Sequence, residues 1–202
     1  MLPLIIATGT AGIFLFLIWE IARWKEARKI AALFLQAFSF LFCLFAHFLV
    51  LTGPRYPGNR IAIIIGILLL IISTYLLYRS LWADLPRGTY VYAANSSLKV
   101  SRKGTYALVR HPGLWCYSLF LLGFYLVSAS VWLIRAGIIW WLADFVVILI
   151  EDLYLYPRIF EDYPVYKKEV PMLIPRLNHF GCILMAPSRR MVIPFSKGFS
   201  TI

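Results

Sequence analysis

Charged residues are scarce in this 202-residue sequence: Asp, Glu, Lys and Arg make up 14% of it, while 61% of the residues are hydrophobic. A soluble core of this size cannot bury so much apolar surface, which excludes an ordinary soluble globular domain. The few charges are also one-sided, with 20 Lys and Arg against 9 Asp and Glu. We expect basic loops that face anionic lipid headgroups, and no nucleic-acid partner, since no basic face lies outside the membrane flanks.

Cysteine is equally sparse, and the odd set of Cys43, Cys116 and Cys182 does not form a paired framework. Two of the three lie inside apolar runs, so we interpret them as small buried hydrophobes and expect neither a disulfide nor a metal site. The chain also lacks internal repeats, low-complexity tracts and any soluble linker. We therefore predict a single integral membrane domain over residues 1–202.

Four stretches contain no Asp, Glu, Lys or Arg at all: 2–19, 30–52, 61–78 and 114–134. Each is long enough for a transmembrane helix, which needs about 17 to 25 apolar residues. The first lacks the basic flank and cleavage pattern of a signal peptide, so we expect a retained helix. A fifth run, 136–150, spans only if its helix continues to a stop at Pro157. The prediction is an all-α polytopic membrane helix bundle of about five transmembrane helices.

The basic residues predict the orientation of this bundle. Five crossings place the loops 20–29, 79–113 and 151–202 on one side, and these hold 17 of the 20 Lys and Arg. The other side keeps the N-terminus, residues 53–60 and a turn at Arg135. By the positive-inside rule, the N-terminus is outside and the C-terminus is cytoplasmic. The candidate functional groups then face the cytoplasm.

The first polar feature that an inert bundle does not need is "GTYALVRHPG", which ends where the fourth apolar run begins. Arg110 and His111 precede Pro112, and proline favours the first turn of a helix. The backbone N–H groups beyond it would then point at whatever lies on the membrane surface. Two interpretations stay open: Arg110 binds lipid phosphate and His111 caps the helix, or both serve a functional site.

The second feature is the acid pair Glu151 and Asp152, preceded by Asp144 at a spacing that places it on roughly the same helix face as Glu151. Acids within a span are rare and usually face a cavity or a partner. Asp144 is open to a structural hydrogen bond with a serine or tyrosine of another helix. For the pair at the interface we favour function, since a carboxylate there can hold an ammonium group or ribose hydroxyls.

The third feature is "EDYPVYKKEVP", residues 161–171. Tyr163 and Tyr166 are three positions apart, on one side of a helical turn, and Lys167 and Lys168 follow. An amphipathic surface helix with aromatic anchors and basic residues explains this pattern as well as a binding site does.

In combination, these motifs resemble the integral-membrane methyltransferases of the isoprenylcysteine carboxyl methyltransferase and phospholipid methyltransferase group. That group has a Gly-x-Tyr-x-x-x-Arg-His-Pro segment, a hydrophobic helical hairpin, an acid pair and a Phe-Gly-Glu-Glu-Tyr-x-x-Tyr-Lys-Lys-x-Val-Pro tail. The matching residues are Gly104, Tyr106, Arg110, His111, Pro112, Glu151, Asp152, Glu161, Asp162, Tyr163, Tyr166, Lys167, Lys168, Val170 and Pro171. The resemblance divides the domain into three N-terminal helices (1–83), a methyltransferase-like region (84–176) and a cytoplasmic interfacial tail (177–202).

The resemblance implies methyl transfer from S-adenosylmethionine to a lipidic or membrane-dissolved acceptor, either prenylcysteine-type, a phospholipid amine or a small hydrophobic thiol. The residues implied to enclose the cofactor are Tyr106, Arg110, His111, Pro112, Glu151, Asp152, Tyr163 and Tyr166. His111 and Glu151 are the implied catalytic residues, without a metal. Displacement at a sulfonium needs alignment and water exclusion, and His111 is needed as a base only where the acceptor carries a proton.

The sequence departs from the group where the acceptor is expected to bind. The stretch before the acid pair is "DFVVILI" and carries no arginine, which disfavours a carboxylate acceptor. Leu114, Cys116 and Phe160 replace the usual Tyr and Gly residues. Two other functions are considered: a reductase of the sterol reductase type, which uses a reduced nicotinamide, and a non-enzymatic scaffold or carrier in which Glu151 pairs with Arg110. Oligomeric state is not predicted.

Overall fold

The computed structural model describes residues 1–25, 29–80, 84 and 99–175, and all regular elements within them are helical. The helices are α1 (Leu2–Trp24), α2 (Lys29–Leu49), α3 (Arg60–Tyr78), α4 (Pro112–Ser128), α5 (Val131–Ile150), α6 (Tyr156–Ile159) and α7 (Tyr163–Glu169). Single 3₁₀ turns occupy Val50–Thr52 and Gly104–Ala107, and Glu151–Leu155 is π-helical. The all-α prediction is thereby confirmed. The predicted tail 177–202, with Cys182, lies outside the described residues.

Four helical segments are long and apolar enough to cross a membrane: Leu2–Trp24, Ile30–Thr52, Arg60–Tyr78 and Val131–Ile159. The fifth apolar helix, α4, is shorter, with 17 residues. Large apolar side chains such as Leu33, Phe45 and Ile71 project from the bundle with more than half of their surface exposed. In water such a surface would be unfavourable, and in a bilayer it contacts lipid. The chain is an integral membrane protein.

The turn between α4 and α5 lies earlier than the sequence predicted. We expected the fourth span to run through residue 134 with a turn at Arg135, but α4 ends at Ser128 and Arg135 lies inside α5. Ala129 adopts a left-handed conformation (φ 49°), and the Ser130 hydroxyl accepts a hydrogen bond from the Leu133 N–H at 3.4 Å. This serine cap begins α5 within an uncharged run, where the absence of charge concealed the turn.

The predicted stop at Pro157 is also wrong, because the helix continues to Ile159. The helix passes through the π-helical segment, in which the Tyr156 N–H donates to the Glu151 carbonyl five residues earlier in the chain. Pro157 then falls in the first turn of α6, a position that tolerates proline.

The bundle has two chemically different ends. At the first, which we call the hairpin end (residues 50–59 and 129–131), the Ser130 hydroxyl donates to the Val50 carbonyl at 2.6 Å. Backbone bonds of 2.9 Å join Tyr56 to Ala129 and Val131 to Pro54. The second, the site end, comprises the last turns of α1, residues 99–113 and residues 151–175.

Between these two ends, the helices pack closely against one another. Between α3 and α4, a Cβ added to Gly66 would lie 2.8 Å from the Gly123 carbonyl oxygen, and the reverse distance is 2.9 Å. Only glycine lets the two backbones approach so closely. Across the bundle, the buried Trp140 of α5 packs on Gly9 of α1 and donates to the Ile6 carbonyl at 3.1 Å. α1 is thus fixed against α5 along its length.

Candidate functional site

Asp152 is the centre of a buried polar cluster at the site end, with 2% of its surface exposed. Its Oδ2 lies 2.7 Å from Lys167 Nζ, and its Oδ1 accepts a 2.6 Å hydrogen bond from the Tyr163 hydroxyl. The same Oδ1 lies 3.2 Å from Arg110 Nε and 3.4 Å from His111 Nε2. Side chains from the segment before α4 and from α7 therefore meet on one carboxylate.

Backbone pairing brings the Arg-His-Pro segment to this carboxylate. The N–H groups of Arg110 and His111 donate to the carbonyls of Pro171 and Met172 at 3.0 and 3.3 Å. The Trp115 indole N–H continues the row with a 2.7 Å bond to the Leu173 carbonyl. Pro112 opens α4, as the sequence predicted. Residues 171–173, which follow α7, thus fix the position of Arg110 and His111.

Glu151 faces a different set of partners, although it neighbours Asp152 in the chain. Its Oε2 accepts a 3.1 Å bond from the Tyr156 hydroxyl and lies 3.7 Å from His111 Nδ1. On its other side, Glu20 of α1 lies close enough to interact with it electrostatically. The His111 ring stacks on Tyr156, with centroids 5.7 Å apart and planes 8° from parallel. The π-helical segment therefore turns one acid toward α1 and the other toward α7.

The two predicted tyrosines lie side by side on α7, with ring centroids 5.9 Å apart. The Tyr166 hydroxyl donates to the Tyr106 carbonyl at 2.7 Å, so the contribution of Tyr106 to this contact is its backbone. Burial raises the pKa of both phenols, and for Tyr163 the bond to Asp152 raises the pKa further. Both tyrosines are therefore neutral hydrogen-bond donors at pH 7.

His111 is almost fully buried, with 6% of its surface exposed. Burial lowers the pKa of its imidazole, and the contact with Asp152 opposes this shift without cancelling it. The ring is thus neutral at pH 7. A neutral imidazole can accept a proton, which is what the predicted base role requires.

Asp84 fixes the start of the Arg-His-Pro segment. Its Oδ2 accepts 3.0 Å bonds from the N–H and the hydroxyl of Thr105, and its Oδ1 pairs with Arg79 at 3.0 Å. Burial raises the pKa of Asp84, but these bonds outweigh it, and the pKa lies below its usual value. Gly104 has φ +57°, and a Cβ there would collide with the Asp84 carboxylate. The glycine of the motif is therefore required sterically.

Three buried polar atoms of this cluster have no aligned hydrogen-bond partner within residues 1–80, 84 and 99–175: Glu20 Oε2, Arg110 Nε and His111 Nε2. The last two lie 3.2 and 3.4 Å from Asp152 Oδ1 without forming an aligned hydrogen bond to it. Buried polar atoms normally find partners, so their concentration at one place indicates a polar ligand. One acceptor and two nitrogen groups suit a ligand that bears hydroxyl, carboxylate and cationic groups.

A scan against protein-family profiles matches the phospholipid methyltransferase family over residues 61–161, half of the chain. The chain belongs to the phospholipid methyltransferase family. Searches of curated proteins and of solved structures gave no match. Membership in this family supports methyl transfer at a membrane and agrees with the resemblance found in the sequence. The matched segment contains α3, α4, α5 and the acid pair, whereas Glu20, Tyr163 and Tyr166 lie outside it.

The structure brings together the site residues that the sequence predicted. Arg110, His111, Glu151, Asp152 and Tyr163 lie in the cluster itself. Three further residues adjoin the cluster. Pro112 begins α4, and the Tyr106 carbonyl accepts the hydrogen bond that the Tyr166 hydroxyl donates. Asp144 is half-buried in α5, about two turns before the acid pair.

Sequence reasoning missed two members of the cluster, Glu20 and Tyr156. Glu20 lies in the stretch 20–29, which we predicted to be a loop, but α1 continues to Trp24. The absence of glycine and proline between Gly12 and Gly53 was the signal for that longer helix. An ion pair between Arg110 and Glu151 would have favoured the hypothesis of a non-enzymatic scaffold. Arg110 pairs with Asp152 instead.

Proposed function

We propose that this member of the phospholipid methyltransferase family transfers a methyl group from S-adenosylmethionine to a lipidic or membrane-dissolved acceptor, at the cluster around Glu151 and Asp152. The observation that carries the proposal is the convergence of Arg110, His111 and both acids in a buried cluster that retains unpaired polar atoms. The family match supplies independent support for the reaction type.

The residues of the cluster suit the cofactor. When bound, S-adenosylmethionine supplies a methyl group that is activated by its sulfonium. Glu151 offers a carboxylate to amino or ribose groups, and the guanidinium of Arg110 is held beside it by the ion pair with Asp152. Tyr163 and Tyr166 pack along one wall of the cluster. The catalytic task of the protein is to hold the reactants in line and exclude water.

His111 is the proposed proton acceptor for an amine or thiol acceptor. Its neutral ring keeps Nε2 free of an aligned partner in the described structure. A carboxylate acceptor is disfavoured, since residues 144–150 hold no arginine to bind it. Phospholipid amines and small hydrophobic thiols thus precede prenylcysteine-type acceptors in our proposal.

We further propose that five helices cross the membrane, with the N-terminus outside and the site facing the cytoplasm. At about 1.5 Å per residue, the 17 residues of α4 cover about 26 Å, close to the thickness of the hydrocarbon core. The site end carries eight Lys and Arg, whereas residues 50–59 and 129–131 of the hairpin end carry Arg55 alone, and this asymmetry supports a cytoplasmic position of the site end. S-adenosylmethionine would enter from water, and the acceptor would enter between helices.

The test is incubation of the purified protein with methyl-labelled S-adenosylmethionine and lipids extracted from the host. We expect a labelled lipid or small hydrophobic product, and its loss in Glu151→Ala and His111→Ala. Glu161→Ala is the control, because Glu161 is an exposed acid outside the cluster. A correctly folded protein that neither binds S-adenosylmethionine nor responds to these substitutions contradicts the proposal, and binding of a reduced nicotinamide instead would indicate a reductase.

A further inference from the structure

Tyr156 contacts both residues to which the resemblance assigns a catalytic role, although none of the three polar motifs includes it. Its hydroxyl donates to Glu151 Oε2 at 3.1 Å. Its ring stacks on the His111 imidazole, with centroids 5.7 Å apart and planes 8° from parallel. One side chain therefore contacts the two residues through two different groups.

The π-helical segment places Tyr156 against Glu151. In a regular α-helix, residues five positions apart lie about 140° from each other around the helix axis. From Glu151 to Leu155 the chain is π-helical, and the Tyr156 N–H donates to the Glu151 carbonyl. The wider turn brings the fifth residue back above the first, so the two side chains can meet.

Two further aromatic rings fix the Tyr156 ring. Phe160 and Tyr163 each approach it edge to face, with centroids 5.7 Å from its centroid. Such edge-to-face pairs are a favoured arrangement of aromatic rings. The Tyr163 hydroxyl in turn donates to Asp152 at 2.6 Å. Tyr156 is therefore held in one place by residues that belong to the cluster or adjoin it.

The two acids by themselves do not fix the imidazole ring of His111. Its Nδ1 lies 3.7 Å from Glu151 Oε2, and its Nε2 lies 3.4 Å from Asp152 Oδ1 without an aligned hydrogen bond. A hydrogen bond that orients a ring is shorter and well aligned. The backbone bond of His111 to the Met172 carbonyl fixes its main chain and leaves the side chain free to rotate. The stack on Tyr156 then sets the plane of the ring.

We propose that Tyr156 is a positioning residue of this site: its ring sets the plane of the His111 imidazole, and its hydroxyl sets the direction of the Glu151 carboxyl group. This inference rests on the proposed function, in which His111 accepts a proton and Glu151 holds the cofactor. Both tasks depend on direction, since a misplacement of about 1 Å can lower a rate about a hundredfold. No proton and no methyl group passes through Tyr156 itself.

The experiment measures two quantities on the full-length protein in detergent. The first is the dissociation constant of S-adenosylmethionine without acceptor. The second is the rate of methyl transfer to lipids extracted from the host, per folded molecule and at saturating cofactor, between about pH 5 and pH 8. Tyr156→Phe keeps the ring and removes the hydroxyl, whereas Tyr156→Leu removes both. The matched controls are Tyr154→Phe and Tyr154→Leu, because Tyr154 lies two residues earlier with 59% of its surface exposed.

We expect the two variants of Tyr156 to separate its two contacts. Tyr156→Phe should weaken S-adenosylmethionine binding about fivefold through the lost hydrogen bond to Glu151. Its rate at saturating cofactor and the pH dependence of that rate should stay those of the wild type. Tyr156→Leu should weaken binding equally and, in addition, lower the rate about tenfold through misalignment of His111. Both Tyr154 variants should behave as the wild type does.

The pH dependence gives a readout that a merely structural role would not move. Burial lowers the pKa of His111, and removal of the Tyr156 ring opens the imidazole to water, so its pKa should rise in Tyr156→Leu. The acid side of the rate profile then moves to higher pH. The charged groups that face His111 remain in both variants: Glu151, Asp152, Arg110 and Lys167.

The outcomes separate the inference from the proposed function. If the wild-type protein neither binds S-adenosylmethionine nor labels a lipid, the proposed function fails, and the positioning role falls with it. If the wild type does both, and the Tyr156 variants give less folded protein with unchanged affinity and rate per folded molecule, the inference is wrong while the function stands.

Two further results would overturn the inference. One is an equal loss of rate in Tyr156→Phe and Tyr156→Leu with no movement of the pH profile. The other is an effect of the Tyr154 controls as large as that of the Tyr156 variants. If Tyr156→Leu does not fold, Tyr156→Phe decides, because weaker cofactor binding supports the inference and unchanged binding contradicts it.

Discussion

Different chemical groups join the helices at the two ends of the bundle. At the hairpin end, the Ser130 hydroxyl and backbone carbonyls satisfy each other, and Arg55 donates to the Leu51 carbonyl. At the site end, three acids, an arginine, a lysine and a histidine are packed together, and some of their buried atoms keep no aligned partner. Neutral groups in helix caps suffice for a turn at a membrane surface.

This difference indicates the role of the charged residues at the site end. Buried charges with incomplete pairing cost stability and are poor devices for joining helices. The hairpin end demonstrates that this sequence can close a helix pair without them. We infer that the charges at the site end are kept for ligand binding, so that substitutions at the two ends should separate stability from activity.

The largest effect is expected at Asp152. Asp152→Asn keeps the size of the side chain but removes the counter-charge of Arg110 and Lys167. We expect the free energy of unfolding to fall by about 3 kcal/mol and methyl transfer to fall about a hundredfold through loss of alignment. Thermal unfolding in detergent and methyl transfer per folded molecule measure the two effects.

Asp162→Asn is the matched control at the same end, since Asp162 pairs with the exposed Arg102 at 3.5 Å. An exposed pair contributes at most about 1 kcal/mol, and this variant should stay active. If Asp152→Asn transferred methyl groups as fast as the control, the contrast between the two ends would be lost.

A smaller effect of a different kind is expected at the hairpin end. Ser130→Ala removes the cap of α5 and the bond to the Val50 carbonyl, and should reduce the free energy of unfolding by about 1 to 2 kcal/mol. Methyl transfer per folded molecule should not change. Thr52→Ala, an exposed hydroxyl at the same end, serves as the control. Reduced turnover in Ser130→Ala would show that the hairpin end also shapes the site.

The smallest effect concerns pH. Burial lowers the pKa of His111 relative to the unfolded chain, so its contribution to stability is complete above the unfolded value of about 6.5 and is lost as pH falls through the folded value. We expect the melting temperature to fall as pH drops from 6.5 toward 5. His111→Gln should flatten this part of the profile; an unchanged slope would mean that another group is responsible.

Asp84 contributes in a separate pH window. Its pKa lies below the usual value of about 4, so its stabilising effect is lost only in stronger acid. The two groups can therefore be distinguished in a single titration.

Several features of this molecule followed from sequence because single residues dictate them. Uncharged runs of bilayer length predicted the helices, and proline at a helix start predicted the beginning of α4 at Pro112. The order of the three polar motifs correctly predicted that Arg110, His111, Glu151 and Asp152 would meet. Spans of bilayer length return the chain to the same end after every second crossing.

Other features could not be predicted, because they depend on tertiary contacts between residues far apart in the sequence. The burial of Glu20 results from α1 packing against α5, since the stretch around it is charged enough to lie in water. The stacking of Tyr156 on His111 needs the π-helical segment, which no residue pattern here announced. The Ser130 turn was concealed because a serine cap adds no charge to an apolar run.

The π-helical segment Glu151–Leu155 amounts to one residue inserted into an otherwise regular helix. An α-helix places successive residues about 100° apart, and the wider π turn fits about one extra residue into nearly the same rotation. Deleting a single residue from this segment would remove the bulge and leave the direction of the following helix nearly unchanged. Glu151 and Asp152, which lie in the wide turn, would then change their directions relative to α1 and α7. The chain length between residues 150 and 156 is therefore as much a determinant of this site as the identity of its acids.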